Sequence, residues 1–368
     1  MSILHVVSFS SGKDSTATLL IALARFGAHR VLVIFCDTGN EHEEVYRYLD
    51  YIELALGVKV VRLRANFEAE ISSKRMFVAR DRRTRRQYDR VPRTDAQGNV
   101  VYRRLNNGDF ELQLVWTRSG WDVVGVPRLV KRHGRKVRWT NKGNRRAMRA
   151  MVPSGNPFLD LCIWKGRFPS RKAQFCTEEL KRNMAVSFQL ELMEAGHIVV
   201  SWQGVRRDES ANRRHVKSFE KVAPGLFLFR PIADKTAAWV FSHCAAAGIK
   251  PNPLYLQGMG RVGCMPCINC GKAELREIAA RWPEHPERIS EWEHIVGDCS
   301  KRGYSTFMAD AHPGRDRREV FADLNIWSRI EWSKTTRGGQ QYDLLGGLET
   351  GCASSYGLCD GALGGEAA

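Results

Sequence analysis

The sequence has no apolar run long enough to cross a bilayer, and its first residues lead directly into a strand without a signal-peptide pattern. No membrane partner is expected, and a cytoplasmic location follows. Internal repeats are absent, which excludes a repeat architecture, and low complexity is confined to one basic stretch and a Gly-rich tail. In a reducing compartment the ten cysteines are not expected to form disulfides, so clustered ones read first as metal ligands or redox groups. The net charge is unevenly spread. Between Lys74 and Arg149, 6 Asp or Glu stand against 22 Lys or Arg, which is nearly the whole net charge of +17. Such a block suits a polyanion-binding surface, because each neutralised phosphate releases counterions; the alternative is a solvated insertion. The remainder is near neutral, and 368 residues with 43% apolar and 26% charged side chains suit a soluble globular protein of roughly two domains.

What the sequence does contain begins with Ser8-Phe9-Ser10-Ser11-Gly12-Lys13-Asp14-Ser15, between an apolar run at 3–7 and a helix-forming run at 16–24. A polar turn between a buried strand and a helix suits a phosphate: small residues let the backbone approach, the turn N–H groups point at the anion, and the helix dipole assists. Lys13 adds a full charge, and Ser10, Ser11 and Ser15 add hydroxyl donors. A bare Ser-Ser-Gly would read as a serine-capped turn. The spacing fits neither the Walker pattern nor the dinucleotide Gly-x-Gly-x-x-Gly. The loop resembles the Ser-Gly-Gly-x-Asp-Ser signature of the PP-loop ATP pyrophosphatases, with Ser11 in place of the first glycine. That resemblance implies that the loop grips the pyrophosphate of ATP while the α-phosphate passes to an acceptor.

Residues 30–36 predict a second buried strand ending at Asp37-Thr38-Gly39, followed by a helix over 41–56 and a strand over 58–63. This β-α-β-α-β order predicts a parallel sheet with ligands at the carboxyl ends of its strands. Later come a helix over 177–194, a strand over 197–202, and Gly204-Val205-Arg206-Arg207-Asp208-Glu209-Ser210-Ala211-Asn212-Arg213. Arginines at a strand end clamp phosphate or sulfate oxygens, although an isolated Arg/Glu loop more often forms surface ion pairs. Asp37-Thr38-Gly39-x-Glu41, the Gly-x-Arg-x-x-Glu-Ser-x-x-Arg element, Pro231-Ile232 before a Trp239-bearing helix, Asn252-Pro253-Leu254-Tyr255 and Gly263-Cys264-x-x-Cys267 occur in the order found in phosphoadenylyl-sulfate (PAPS) reductase-like proteins. The chain is thereby identified as resembling that branch over about 1–65 and 160–285. The fold implied is an α/β, parallel-sheet, adenine-nucleotide-α-hydrolase-like PP-loop domain at 1–66 and 158–250. A basic insertion (67–157), a cysteine-cluster and helical segment (251–300) and a C-terminal extension (301–368) complete the organisation.

The resemblance assigns ATP to Ser8, Ser10, Ser11, Gly12, Lys13, Asp14, Ser15, Asp37, Thr38, Gly39, Arg206, Arg207 and Glu209, with Lys13, Asp14, Arg206 and Arg213 as catalytic and Asp14 helping to hold Mg2+. Cys264-x-x-Cys267-x-x-Cys270 places three thiolates within reach of one inorganic centre. Related sulfonucleotide reductases take two 4Fe-4S ligands from a cysteine pair where this chain has Cys176-Thr177. The set expected is Cys176, Cys264, Cys267 and Cys270, with Cys270 replacing the missing partner; structural Zn2+ is the alternative that spacing does not separate. Cys36, Cys162, Cys244 and Cys299 read as buried small hydrophobes, and Cys352 and Cys359 as either a mobile thiol pair or an unstructured terminus. Tyr88, Tyr102, Trp116, Trp121 and Trp139, interleaved with arginines, read mostly as the small core of an inserted subdomain, with base stacking as the other reading.

Three functions follow. In the first, the enzyme adenylates an acceptor with release of pyrophosphate and sulfur displaces AMP; the basic block points to DNA or tRNA as acceptor, and a sulfur-donor protein is implied. In the second, it is a reductase acting on adenylyl sulfate. In the third, it is a nucleic-acid-binding module with a degenerate nucleotide pocket. Retention of Lys13-Asp14, a pair that the reductases typically lose, favours the first.

Overall fold

The structure is a computed structural model and describes residues 2–80, 85–117, 120–137, 139–308 and 317–335. Cys352, Cys359 and the Gly-rich tail lie outside them. The elements in order are β1 (Ile3–Ser8), α1 (Lys13–Phe26), β2 (Val31–Asp37), α2 (Glu43–Leu56), β3 (Val60–Arg64), α3 (Glu68–Arg80), β4 (Arg85–Pro92), β5 (Leu112–Thr117), β6 (Gly120–Gly125) and β7 (Leu129–Val137). Then follow α4 (Asn141–Ala150), α5 (Pro157–Lys165), the single turn α6 (Phe175–Thr177), α7 (Asn183–Glu194), β8 (Ile198–Gln203), β9 (Phe219–Ala223), β10 (Leu226–Phe229), α8 (Ala237–Ala246), α9 (Pro253–Leu256), α10 (Lys272–Arg281), α11 (Glu284–Cys299), α12 (Arg317–Leu324) and α13 (Ile326–Lys334). Among the described residues no helix is long and apolar enough to cross a membrane.

Backbone contacts divide the chain into two compact units. One comprises the described residues up to Val78 and from Arg145 onward; the other is Ala79–Asn144. The first unit is built on a six-stranded sheet of order β3-β2-β1-β8-β10-β9, parallel throughout except for the antiparallel β9–β10 pair. The expected mixed α/β architecture with a mainly parallel sheet is therefore present. Successive side chains alternate between the sheet's faces. Val7, Val33 and Phe35 join a core with Leu19, Leu49 and Ile52 of α1 and α2, while Val6, Ile34 and Cys36 pack with Ala185 of α7. Both faces being covered explains why these strands read as apolar runs rather than as alternating patterns. Strand order reverses between β1 and β8, and that crevice is where such sheets take ligands.

The second unit contains two antiparallel ribbons, β4–β7 and β5–β6. Two tight hairpins precede β5, closed by the Thr94–Val100 and Arg104–Phe110 bridges. The expectation that its aromatics form a core fails for two residues: Tyr102 is 41% and Trp121 is 63% exposed. Tyr102 lies against Gly125, and Phe110, itself 49% exposed, packs edge-on to Tyr102, so the pair sits at the surface.

Candidate functional site

The turn after β1 is held by its own side chains. Ser15 Oγ accepts from the Ser10 N–H at 3.1 Å and donates to the Gly12 carbonyl at 2.9 Å, while Thr16 Oγ1 donates to the same carbonyl at 2.9 Å. Ser11, with φ 62°, is the single non-glycine residue of positive φ among the described residues, and its hydroxyl donates to Val45 O at 3.1 Å. The position at which the PP-loop signature has glycine thus keeps a glycine-like backbone. Gly204, just after β8, runs against this turn so closely that a Cβ there would lie 2.8 Å from the backbone of Asp14.

This contact brings the Arg206 loop onto the first turn of α1. Asp14 is buried between two cations, with Oδ2 3.0 Å from Lys13 Nζ and Oδ1 2.7 Å from Arg206 Nε. Arg206 also binds Asp208 at 2.7 Å, and Arg213 pairs with Glu209. Burial opposes the Arg206 charge, but Asp14, Glu209 and Asp208 outweigh it and hold the guanidinium pKa above its ordinary value. Lys13, Arg206 and Arg213 therefore form one buried cationic cluster whose counter-charges are carboxylates. Arg207 turns away from it, donating to Val216 O and pairing with Asp234. Among the described residues, Gln203 Nε2 and Ser210 Oγ are buried polar atoms without a hydrogen-bond partner, and both lie on the segment that carries Arg206.

At the end of β2, Asp37 accepts from the Gly39 N–H at 2.9 Å and from Tyr46 Oη at 2.8 Å, and pairs with Arg64 at 3.0 Å. Glu41 accepts from Thr38 Oγ1 at 2.6 Å, and burial raises its pKa despite the nearby Lys181 cation. The same segment docks the cysteine loop: the Met265 N–H donates to Asn40 O at 2.8 Å and Asn40 Nδ2 to Pro266 O at 2.9 Å. One cleft is lined by Phe9, Ser10, Phe35, Cys36, Glu41, Lys181 and Gly263, so the turn after β1, the end of β2 and the start of the cysteine loop share a wall.

The four expected thiol ligands are less tightly grouped. Cys264 Sγ lies 3.6 Å from Glu41 Oε1 and 3.5 Å from Thr38 Oγ1. The Cys270 N–H donates to Cys267 O at 3.0 Å, so these two share a turn. Cys176 lies within electrostatic reach of Cys162. Among the described residues no three His, Cys, Asp or Glu side chains stand together as a ready-made metal shell. The donor chemistry nevertheless suits a soft metal centre. Arg261 is buried beside Cys267 and Glu274, which outweigh the opposing effect of burial and keep it cationic, so a fixed positive charge stands beside this loop.

Two residues had no assigned role in the sequence reading. Tyr255 accepts the Lys13 N–H at 3.0 Å and lies with its ring 5.7 Å from Lys13 Nζ. Lys181 is a buried cation facing the Glu41 cleft. Their signals were present, in Asn252-Pro253-Leu254-Tyr255 and in Leu180-Lys181, but a motif residue reveals its partner only once the fold brings them together.

A family model described as the phosphoadenosine phosphosulfate reductase domain matches residues 4–270. The chain is 40% identical over 371 residues to the "uncharacterized 37.8 kDa protein in gpa 5'region" of Escherichia phage 186, covering 98% of this chain and 97% of that one. It is 39% identical over 80 residues to an adenosine 5'-phosphosulfate reductase of Rhizobium meliloti, which is 22% of this chain and 30% of the reductase. Against a crystal structure of phosphoadenylyl-sulfate reductase from Candida auris the TM-score is 0.36 at 11% identity, over 72% of this chain and 81% of that one.

Proposed function

Because the chain belongs to the phosphoadenosine phosphosulfate reductase domain family, we propose that it is a nucleotide-dependent enzyme of the cytoplasm that adenylates a nucleic-acid acceptor from ATP and supports sulfur transfer to it. The observation that carries this reading is the Lys13–Asp14–Arg206 cluster buried at the point where strand order reverses. A site for a sulfonucleotide needs cations for one phosphate and one sulfate. A triphosphate additionally needs charge for its β- and γ-phosphates and an acid for a metal, and Lys13 and Asp14 supply both.

The steps balance without a redox change. An acceptor oxygen attacks the α-phosphorus of ATP, the bond to the bridging oxygen breaks, and pyrophosphate leaves. A sulfur nucleophile then displaces AMP from the adenylated acceptor. The Lys13 ammonium binds the departing phosphates, and Arg206 and Arg213 stabilise the charge that grows on them. Asp14 is the residue that would hold Mg2+, which supplies further neutralisation of the phosphates when bound. The thiols of Cys176, Cys264, Cys267 and Cys270 would hold a 4Fe-4S cluster, with Zn2+ the alternative; such a cluster supplies a soft site for sulfur. The cations between Lys74 and Arg149 favour DNA or tRNA as acceptor.

The local similarity to an adenosine 5'-phosphosulfate reductase supports a second reading, reduction of an adenylyl sulfate by a thiol. One experiment separates the two. Anaerobically purified protein is assayed for pyrophosphate release from ATP and Mg2+, with and without DNA or tRNA, and for sulfite release from adenylyl sulfate. Pyrophosphate release stimulated by nucleic acid is expected. Sulfite release without pyrophosphate would sink the first reading in favour of the second.

A further inference from the structure

The unit Ala79–Asn144 carries a face that its own fold leaves bare. In the β5–β6 ribbon Leu114 pairs with Val123, and Leu112 and Trp121 lie two positions before these on their strands, so the four share one side. Leu112, Leu114, Trp121 and Val123 are 62%, 66%, 63% and 62% exposed. On the opposite side, Val115 and Val124 are partly covered. The more apolar side is the one in solvent, the reverse of the usual order for a ribbon with one packed face.

The same unit is strongly cationic, with 17 Lys or Arg against 6 Asp or Glu over residues 79–144. Arg90, Arg93, Arg103, Arg104, Arg128 and Arg132 are all exposed. A second copy of so basic a surface would be repelled, and an apolar protein partner would leave the arginines unmatched. A nucleic-acid strand offers both requirements in one molecule: phosphates for the cations and flat π-faces for an exposed indole.

We propose that the β5–β6 ribbon is a stacking platform for unpaired bases of a nucleic-acid strand, with Trp121 against a base, Leu114 and Val123 beside it, and arginines of the same unit on the phosphates. The proposal rests on the nucleic-acid reading given above and narrows it to single-stranded or splayed-out bases. A paired base keeps its faces stacked inside the duplex and cannot use the platform.

The test uses the full-length protein and fluorescence anisotropy at several salt concentrations, with a labelled oligothymidylate and a labelled hairpin duplex of equal length as probes. Trp121→Ala, and separately Leu114→Ser with Val123→Ser, are expected to weaken single-strand binding roughly tenfold without changing its salt slope, and Trp121→Phe to stay within about threefold of wild type. Arg93→Gln with Arg128→Gln is expected to lower the salt slope by about 1–2 for both probes. Circular dichroism and thermal melts confirm that each variant is folded. If Trp121→Ala binds the single strand as tightly as wild type while the arginine variant weakens, the platform is overturned and the nucleic-acid reading stands. If wild type binds neither probe, both fall. A wild-type dimer in light scattering that Trp121→Ala dissolves, with affinity for the strand unchanged, would overturn the platform in favour of self-association.

Discussion

Arg206 Nε stands 2.7 Å from Asp14 Oδ1, with both side chains 2% exposed. The pair ties the loop after β8 to the first turn of α1, and it needs Gly204 between them, since only glycine permits the close backbone approach. Removing one partner of a buried ion pair leaves the other charge stranded. Arg206→Ala is expected to cost about 3–5 kcal/mol of stability in urea denaturation. Arg206→Lys keeps a charge but loses the planar fork shared by Asp14 and Asp208, so it should cost less in stability while still reducing pyrophosphate release. Equal stability of wild type and Arg206→Ala would show that the cluster does not hold the two elements together.

Ser11 occupies a left-handed backbone conformation that costs a non-glycine residue about 1–2 kcal/mol, and it recovers about 1 kcal/mol through its hydroxyl bond to Val45 O. Ser11→Gly exchanges one for the other. Its stability should stay within about 1 kcal/mol of wild type, with pyrophosphate release retained. Ser11→Val adds a β-branched side chain at a positive φ and loses the bond, so a loss of about 2 kcal/mol or more is expected. Comparable unfolding midpoints for the two variants would contradict this account of the loop.

The sheet was legible because its strands are apolar on both faces and its turns are polar, and residues 3–8, 31–37 and 198–203 form strands close to where the pattern puts them. The helix expected over 177–194 is present from Asn183, after a π-type turn at Glu178–Arg182. Composition does not signal such a turn. Nothing in the sequence signals the β9–β10 hairpin, because Phe219-Glu220-Lys221-Val222-Ala223 lacks the alternation of a half-buried strand. At the site, motif order marked Asp14 and Arg206 without showing that they meet. Arg207 carries the same motif and faces the other way, because Asp234 and the Val216 carbonyl engage it. Sequence spacing names side chains, whereas their direction comes from neighbours distant in the chain.

The cysteine assignment yields a separate expectation. Single replacements of Cys176, Cys264, Cys267 and Cys270 by Ser should each lower metal content per chain after anaerobic purification, because loss of one thiolate opens the site. Cys162→Ser and Cys244→Ser, buried thiols outside that set, should retain it. Iron and acid-labile sulfide measured together distinguish a cluster from zinc. Full metal content in Cys270→Ser would remove that residue from the set.

Glu293, in α11, fastens two later segments: its carboxylate accepts the Phe307 N–H at 2.7 Å and the Ile326 N–H at 3.0 Å. Burial raises its pKa from 4.5 to about 7, outweighing the two hydrogen bonds that favour the charged form. A carboxyl whose folded pKa exceeds its unfolded one contributes stability that is fully present below the unfolded pKa and disappears as pH rises through the folded pKa. The window is therefore about pH 4.5 to 7 and the loss about 3 kcal/mol, at about 1.4 kcal/mol per pH unit. Glu293→Gln cannot ionise and should lack this slope. Urea midpoints for the two proteins across that window give the test: the stability of wild type relative to Glu293→Gln should fall with rising pH, and a constant difference would mean that Glu293 keeps one protonation state throughout.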